Sequence, residues 1–103
     1  MKKQIEAVEL FHKVFKAPIG DKPKLIGKER GLLRWNLMEE ENTEYLEAVN
    51  EEDFTEVADA LGDMLYILCG TIIEHGMQDK IAEVFDEIQR SNMSKLDEKG
   101  NPI

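Results

Sequence analysis

Thirteen Asp and Glu side chains lie between Asn36 and Asp79, and no Lys or Arg is interspersed among them. Eleven of the thirteen fall in one stretch from Leu37 to Gly70, LMEEENTEYLEAVNEEDFTEVADALGDMLYILCG. A helix that is merely solvated interleaves both signs, because opposite charges at i,i+4 stabilise it and like charges cost it. Acid at this density without a counter-charge calls for an external cation, and a divalent metal is the simplest one.

Placement sharpens the point. On a helical wheel, Glu41 falls between Tyr45 and Ala48 on the apolar side of the first helix of the stretch, and Glu44 sits on the shoulder of that side. An unpaired carboxylate on a packed face is costly, so both residues require a metal, a base or a wet cleft. In the second helix Phe54, Val57, Ala58, Leu61, Leu65, Leu68 and Ile72 form one apolar stripe. Glu56, Asp59, Asp63 and Tyr66 lie opposite it, with Asp59 and Asp63 one i,i+4 step apart. Beyond Asp63 that helix is apolar nearly all round, the pattern of a helix buried on all sides. Asp59 and Asp63 are therefore expected to open onto an internal cleft whose other wall carries Glu41 and Glu44.

Oxygen ligands alone, with no Cys/His set, select Mg2+ or Mn2+. His12 and His75 come nearest to a zinc pattern, and neither has a partner at i+3 or i+4. Four or five converging carboxylates exceed what one structural magnesium needs. Such clusters activate water and stabilise charge on a transferring phosphoryl group. The chain has no P-loop, nucleophile elbow or kinase motif, so phosphate would be held through metal and by nearby cations. Arg90 and Lys95 on the C-terminal side, with Lys28, Arg30 and Arg34 on the N-terminal side, are the cations available.

Four helices must position these groups. The spacing of Ile5, Val8, Phe11, His12, Val14 and Phe15 predicts a first helix over Lys3–Lys16, ended by Ala17-Pro18-Ile19-Gly20. A basic loop, Asp21 to Lys28, leads to a second helix over Glu29–Val49, and Asn50-Glu51-Glu52 turns into a third over Asp53–Glu74. His75-Gly76 stops the third, and Ile81, Val84, Phe85 and Ile88 mark a fourth over Gln78–Arg90. The tail SNMSKLDEKGNPI has turn chemistry at Lys99-Gly100-Asn101-Pro102, suited to a strap over the cleft or a crossing to another subunit.

At 103 residues the chain makes one domain over 1–103. Its composition favours an all-α fold: a four-helix bundle-like protomer completed by symmetric oligomerisation, since a third helix apolar nearly all round beyond Asp63 needs more cover than four short helices alone give. A formal charge of −9 argues against nucleic-acid or anionic-membrane binding and leaves a small nucleotide open, because metal bridges acid to phosphate. The single Cys69 excludes a disulfide framework, and the chain shows no signal peptide and no apolar run of spanning length, all consistent with a cytoplasmic setting.

The runs EEENTE, Glu39 to Glu44, and EVADALGDMLY, Glu56 to Tyr66, resemble the all-α nucleoside triphosphate pyrophosphohydrolases, a superfamily that includes MazG, dimeric dUTPase and phosphoribosyl-ATP pyrophosphatase. Its pattern is EExxE on one helix and ExxD on the next. Glu40, Glu41 and Glu44 match the first half. For the second, Glu56-Val57-Ala58-Asp59 fits literally, whereas the GD-hydrophobic context favours Asp63 and puts Ala60 where the glutamate belongs, with Asp59 standing in. FDEIQRSNMSKL, Phe85 to Leu96, resembles the C-terminal motif of one branch.

The resemblance implies conversion of an NTP or dNTP and water to NMP and pyrophosphate, by attack of metal-activated water at the α-phosphorus. It implies Mg2+, or Mn2+, on Glu41, Glu44, Asp59 and Asp63, with Glu40 a ligand or general base beside Glu41. Asn92, Lys95 and Arg90 would contact a nucleotide substrate, and the assembly would be a homodimer or homotetramer. Two alternatives stand beside this reading. One is hydrolysis of phosphoribosyl-ATP or another unusual nucleotide; the other is a non-catalytic helical interaction module.

Overall fold

Proline, glycine and a capping aspartate set the helix boundaries. The computed structural model describes residues 1–103 and contains α1 (Lys2–Phe15), α2 (Lys28–Asn50), α3 (Phe54–Glu74) and α4 (Ile81–Met93). The fold is all-α with four helices and no strand; the only bridge is an isolated pair, Leu96 with Pro102. No helix is long and apolar enough to cross a membrane. Lys16 takes a left-handed φ of 59° ahead of Ala17-Pro18 and closes α1. Glu52 turns the chain at φ 56°, and Asp53 accepts from the Glu56 amide to cap α3. α4 starts three residues later than expected, because Gln78–Lys80 form a turn held by Met77, and it runs on to Met93.

Two packings build the body: α3 lies against α1 on one side and against α2 on the other. Ile5 and Val8 of α1 meet Cys69 and Ile73 of α3, with Ile19, Leu65 and Ile81 packed around them. The loop after α1 is stitched to the end of α3. Gly20 N–H donates to the Ile73 carbonyl, Lys24 N–H to that of His75, and the His75 Nδ1–H donates back to the Lys24 carbonyl at 2.8 Å. Gly76 is required at this seam: it sits at φ 67°, and a Cβ there would overlap the Lys22 backbone.

The α2–α3 contact is polar at its core. Glu74, in the last turn of α3, is fully buried and receives the Arg30 guanidinium on both oxygens, with Arg34 Nη1 on Oε2 at 3.0 Å. Burial pushes the Glu74 carboxyl up, but the Arg30 hydrogen bonds and the charges of Arg34 and Arg30 outweigh it and hold it below the usual carboxylate range. Arg30 and Arg34 are thus committed to the fold, which corrects their expected role as free cations for phosphate.

The third helix departs from its sequence pattern. Its buried positions are Ala60, Cys69, Gly70, Ile73 and Glu74, whereas Phe54, Leu61 and Leu68 of the expected stripe are exposed. Small and polar residues face α2, where the two backbones approach, and the larger apolar side chains point away. Val14 and Phe15 of α1 are likewise exposed, as is every α4 residue after Ile81, including Val84, Phe85 and Ile88. Only twelve residues are buried, and the radius of gyration is 16.5 Å. A closed domain of this length would have about 13 Å, so one copy leaves much apolar surface without cover. The tail also differs from a strap: it closes on itself, with Ile103 N–H donating to Lys95 and the Asp97 carboxylate accepting from Lys99 and Asn101.

Replacing Glu74 by Ala strands a buried guanidinium, and urea unfolding should show a loss of about 3–5 kcal/mol. Because the folded pKa of Glu74 is lowered, its contribution is complete above the ordinary carboxylate range and fades as pH falls through the folded value. The gap between wild type and Glu74→Ala should therefore narrow in acid.

Candidate metal centre on α2 and α3

Glu41 and Glu44 reach across from α2 to Asp63 on α3, and each offers a carboxylate oxygen within 4.8 Å of the other two. Helical spacing delivers them. Glu41 lies seven residues from both Arg34 and Ala48, the two buried positions of α2, and so shares the face turned to α3. Asp63 lies on the matching face of α3, between buried Ala60 and Gly70. Glu44, one turn beyond Glu41, is exposed at the rim.

The electrostatics are unresolved within the protein. One Glu41 oxygen, Oε2, is buried without any hydrogen-bond partner. Desolvation pushes the Glu41 carboxyl up, and the charges of Glu44, Asp63 and Glu40 push it further the same way. The five ion pairs of the structure involve none of the three residues. An orphaned buried oxygen, two like charges within coordination reach and an all-oxygen donor set fit a hard divalent cation such as Mg2+.

An open groove of about 320 Å3 adjoins the cluster, lined by Glu44, Glu47, Glu51, Glu56 and Asp59 over Ala48 and Ala60. Asp59, expected within the cluster, opens onto this groove and is not among the three converging carboxylates; Glu56 lies in the groove too. Glu47 and Glu51, both exposed, line the same groove. Their i+3 and i+7 spacing from Glu44 is the signal that places them there. Glu40 is exposed on α2 and acts on Glu41 through its charge.

The C-terminal candidates stand apart. Arg90 is exposed and held by Glu87, whose hydrogen bonds raise its pKa, and Lys95 Nζ donates to Asn92 Oδ1 at 3.1 Å. None of Arg90, Asn92 and Lys95 lines the groove or joins the carboxylates of its own chain.

The raised Glu41 pKa makes its charge a liability to the metal-free fold. Glu41→Gln should raise the thermal midpoint of metal-free protein by a few degrees near neutral pH. That gain should vanish in acid, below the ordinary glutamate range, where the carboxyl is protonated in both folded and unfolded chains. A lower midpoint at neutral pH would contradict this picture of the site.

Among known protein families, the model of the phosphoribosyl-ATP pyrophosphohydrolases matches residues 8–92. The match spans the three converging carboxylates, the whole groove, Arg90 and Asn92, and stops short of Lys95. No curated protein matches the chain. With most of its length matched, from within α1 to the last turn of α4, the chain belongs to the phosphoribosyl-ATP pyrophosphohydrolase family.

Proposed function

We propose that the protein is a nucleotide pyrophosphohydrolase that cleaves between the α- and β-phosphates of its substrate and releases pyrophosphate. The observation that carries this reading is the convergence of Glu41, Glu44 and Asp63 around an orphaned buried oxygen. Family membership favours phosphoribosyl-ATP as the substrate over ordinary NTPs and dNTPs, which share the same reacting bonds. Glu41, Glu44 and Asp63 would hold Mg2+, or Mn2+, with Asp59 and Glu56 available from the groove wall for a further ion. When bound, the cation supplies positive charge to the phosphates and acidifies water.

The chain's own groups account for the remaining needs. The groove orients the polyphosphate beside the carboxylates. Glu40, solvated and next to Glu41, takes the proton as the water oxygen bonds to the α-phosphorus and the bridging bond to the β-phosphate breaks. The two buried alanines, Ala48 and Ala60, form a flat apolar floor under five acids, so substrate reaches the acids without displacing bulk.

Assembly belongs to the same proposal. The uncovered apolar faces of α1, α3 and α4 support a homodimer or homotetramer. In such an assembly α4 and the tail carry Arg90, Asn92 and Lys95 of one copy toward the acidic groove of the next, which supplies the positive charge that each groove lacks.

The test is a turnover panel of phosphoribosyl-ATP, the NTPs and the dNTPs, with and without Mg2+, resolving pyrophosphate from orthophosphate. Metal-dependent pyrophosphate release is expected, strongest for phosphoribosyl-ATP. Asp63→Asn should lower kcat at least about 100-fold, the upper range for a group that only supports a metal ligand. Silence across the panel, with no Mn2+ binding, would leave the acidic face as scaffold.

A further inference from the structure

We infer that Arg34, Thr71 and Glu74 form a register clamp that positions Glu41 against Asp63, an inference that rests on the metal reading of that site. Arg34 donates to three successive levels of α3: Nη2 to the Ile67 carbonyl at 2.8 Å, Nε to Thr71 Oγ1 at 3.0 Å and Nη1 to Glu74 Oε2 at 3.0 Å. Thr71 Oγ1 donates in turn to the Ile67 carbonyl at 2.9 Å. Residues 63, 67, 71 and 74 follow one another at helical spacing, so Asp63 is the next member of the row that Arg34 grips. On α2, Arg30, Arg34 and Glu41 follow one another on the facing row. The two helices run antiparallel, and Arg34 opposite Thr71 sets Glu41 opposite Asp63, roughly 10 Å away at 1.5 Å per residue.

The clamp differs in kind from the apolar contacts around it. Leu, Ile and Val surfaces tolerate sliding, whereas a buried charge that loses its partner does not. A one-turn slip of α2 would leave Glu74, whose side chain is fully buried, with one guanidinium where it now has two, and would part Arg34 from its present set of three acceptors. Gly70 makes the entry possible: a Cβ there would stand 2.6 Å from Arg34 Nη2. A glycine inside a helix costs stability relative to alanine, and here it gives the guanidinium its room. None of the three clamp residues reaches the carboxylate cluster or the groove, so they act on the site only through the placement of the helices.

The experiment titrates the full chain with Mn2+, followed by electron paramagnetic resonance of the free ion, for wild type and three variants. Thr71→Val keeps shape and removes the hydroxyl that joins Arg34 to Ile67; Glu74→Gln keeps size and removes the charge. Val8→Ala, in the α1–α3 core, supplies a matched loss of thermal stability on the side of α3 that packs on α1 and not on the clamp. Helix content by circular dichroism confirms folding throughout, and Thr71→Val carries the test alone should Glu74→Gln not fold. The clamp predicts an affinity loss of about tenfold in Thr71→Val, the lower range for a residue that supports metal ligands, with Val8→Ala within about twofold of wild type because it shares no partner with Arg34. Native affinity in a folded Thr71→Val, or an equal loss in Val8→Ala, would overturn it. A wild-type chain that binds no Mn2+ would instead remove the site itself, and with it anything for the clamp to position.

Discussion

The buried Glu74 carboxylate is the constraint on which the α2–α3 pair depends. It accepts from two guanidiniums that the sequence places one helical turn apart, and it does so where no water reaches. A charge in that position is tolerable only when its hydrogen bonds are complete. Its partners come from a single helix, so the requirement is met in one arrangement of α2 on α3. The α1–α3 contact is ordinary by comparison: Ile5 and Val8 against Cys69 and Ile73 supply apolar burial with no such demand.

The same helix pair carries a second charge cluster that has the opposite character. At Glu74 opposite charges hold the carboxyl down against desolvation, whereas at Glu41 desolvation and three like charges push it up together. The first cluster is finished by the protein, and the second keeps an acceptor with nothing to accept from. A stable fold thus supports a locally unfavourable site, the usual relation between a scaffold and a binding centre. The acidic groove extends that imbalance, with five carboxylates and no cation from its own chain.

Much of this was legible in the sequence, for stated reasons. The four helices follow from apolar spacing and from Pro18, Gly76 and Asp53, all local signals. Glu41 was recognisable because a charge on an apolar face has few bland explanations, and the structure does bring it to Glu44 and Asp63. The Arg30–Arg34–Glu74 network was not recognised, because its partners lie about forty residues apart and each looks like a surface charge in isolation. The available clue was Glu74 itself, a lone acid ending the apolar run from Met64 to Ile73. The Asp63 face of α3 was expected to meet α2 and does, but the burial of the large apolar stripe was misread. Periodicity selects the largest apolar residues, Leu61 and Leu68, while close helix approach selected Ala60, Gly70 and Thr71. Asp59 fell outside the converging three for the related reason that one turn along α3 moves a side chain from the seam to the groove.

The central claim is that Glu41, Glu44 and Asp63 together are a cation site, and crystals of the full chain grown with Mn2+ test it most directly. Anomalous difference density at the manganese edge should give a peak bonded to oxygens of all three carboxylates, with the orphaned Glu41 oxygen among the ligands. A peak elsewhere, or no peak while Glu41 keeps a solitary buried oxygen, would contradict it.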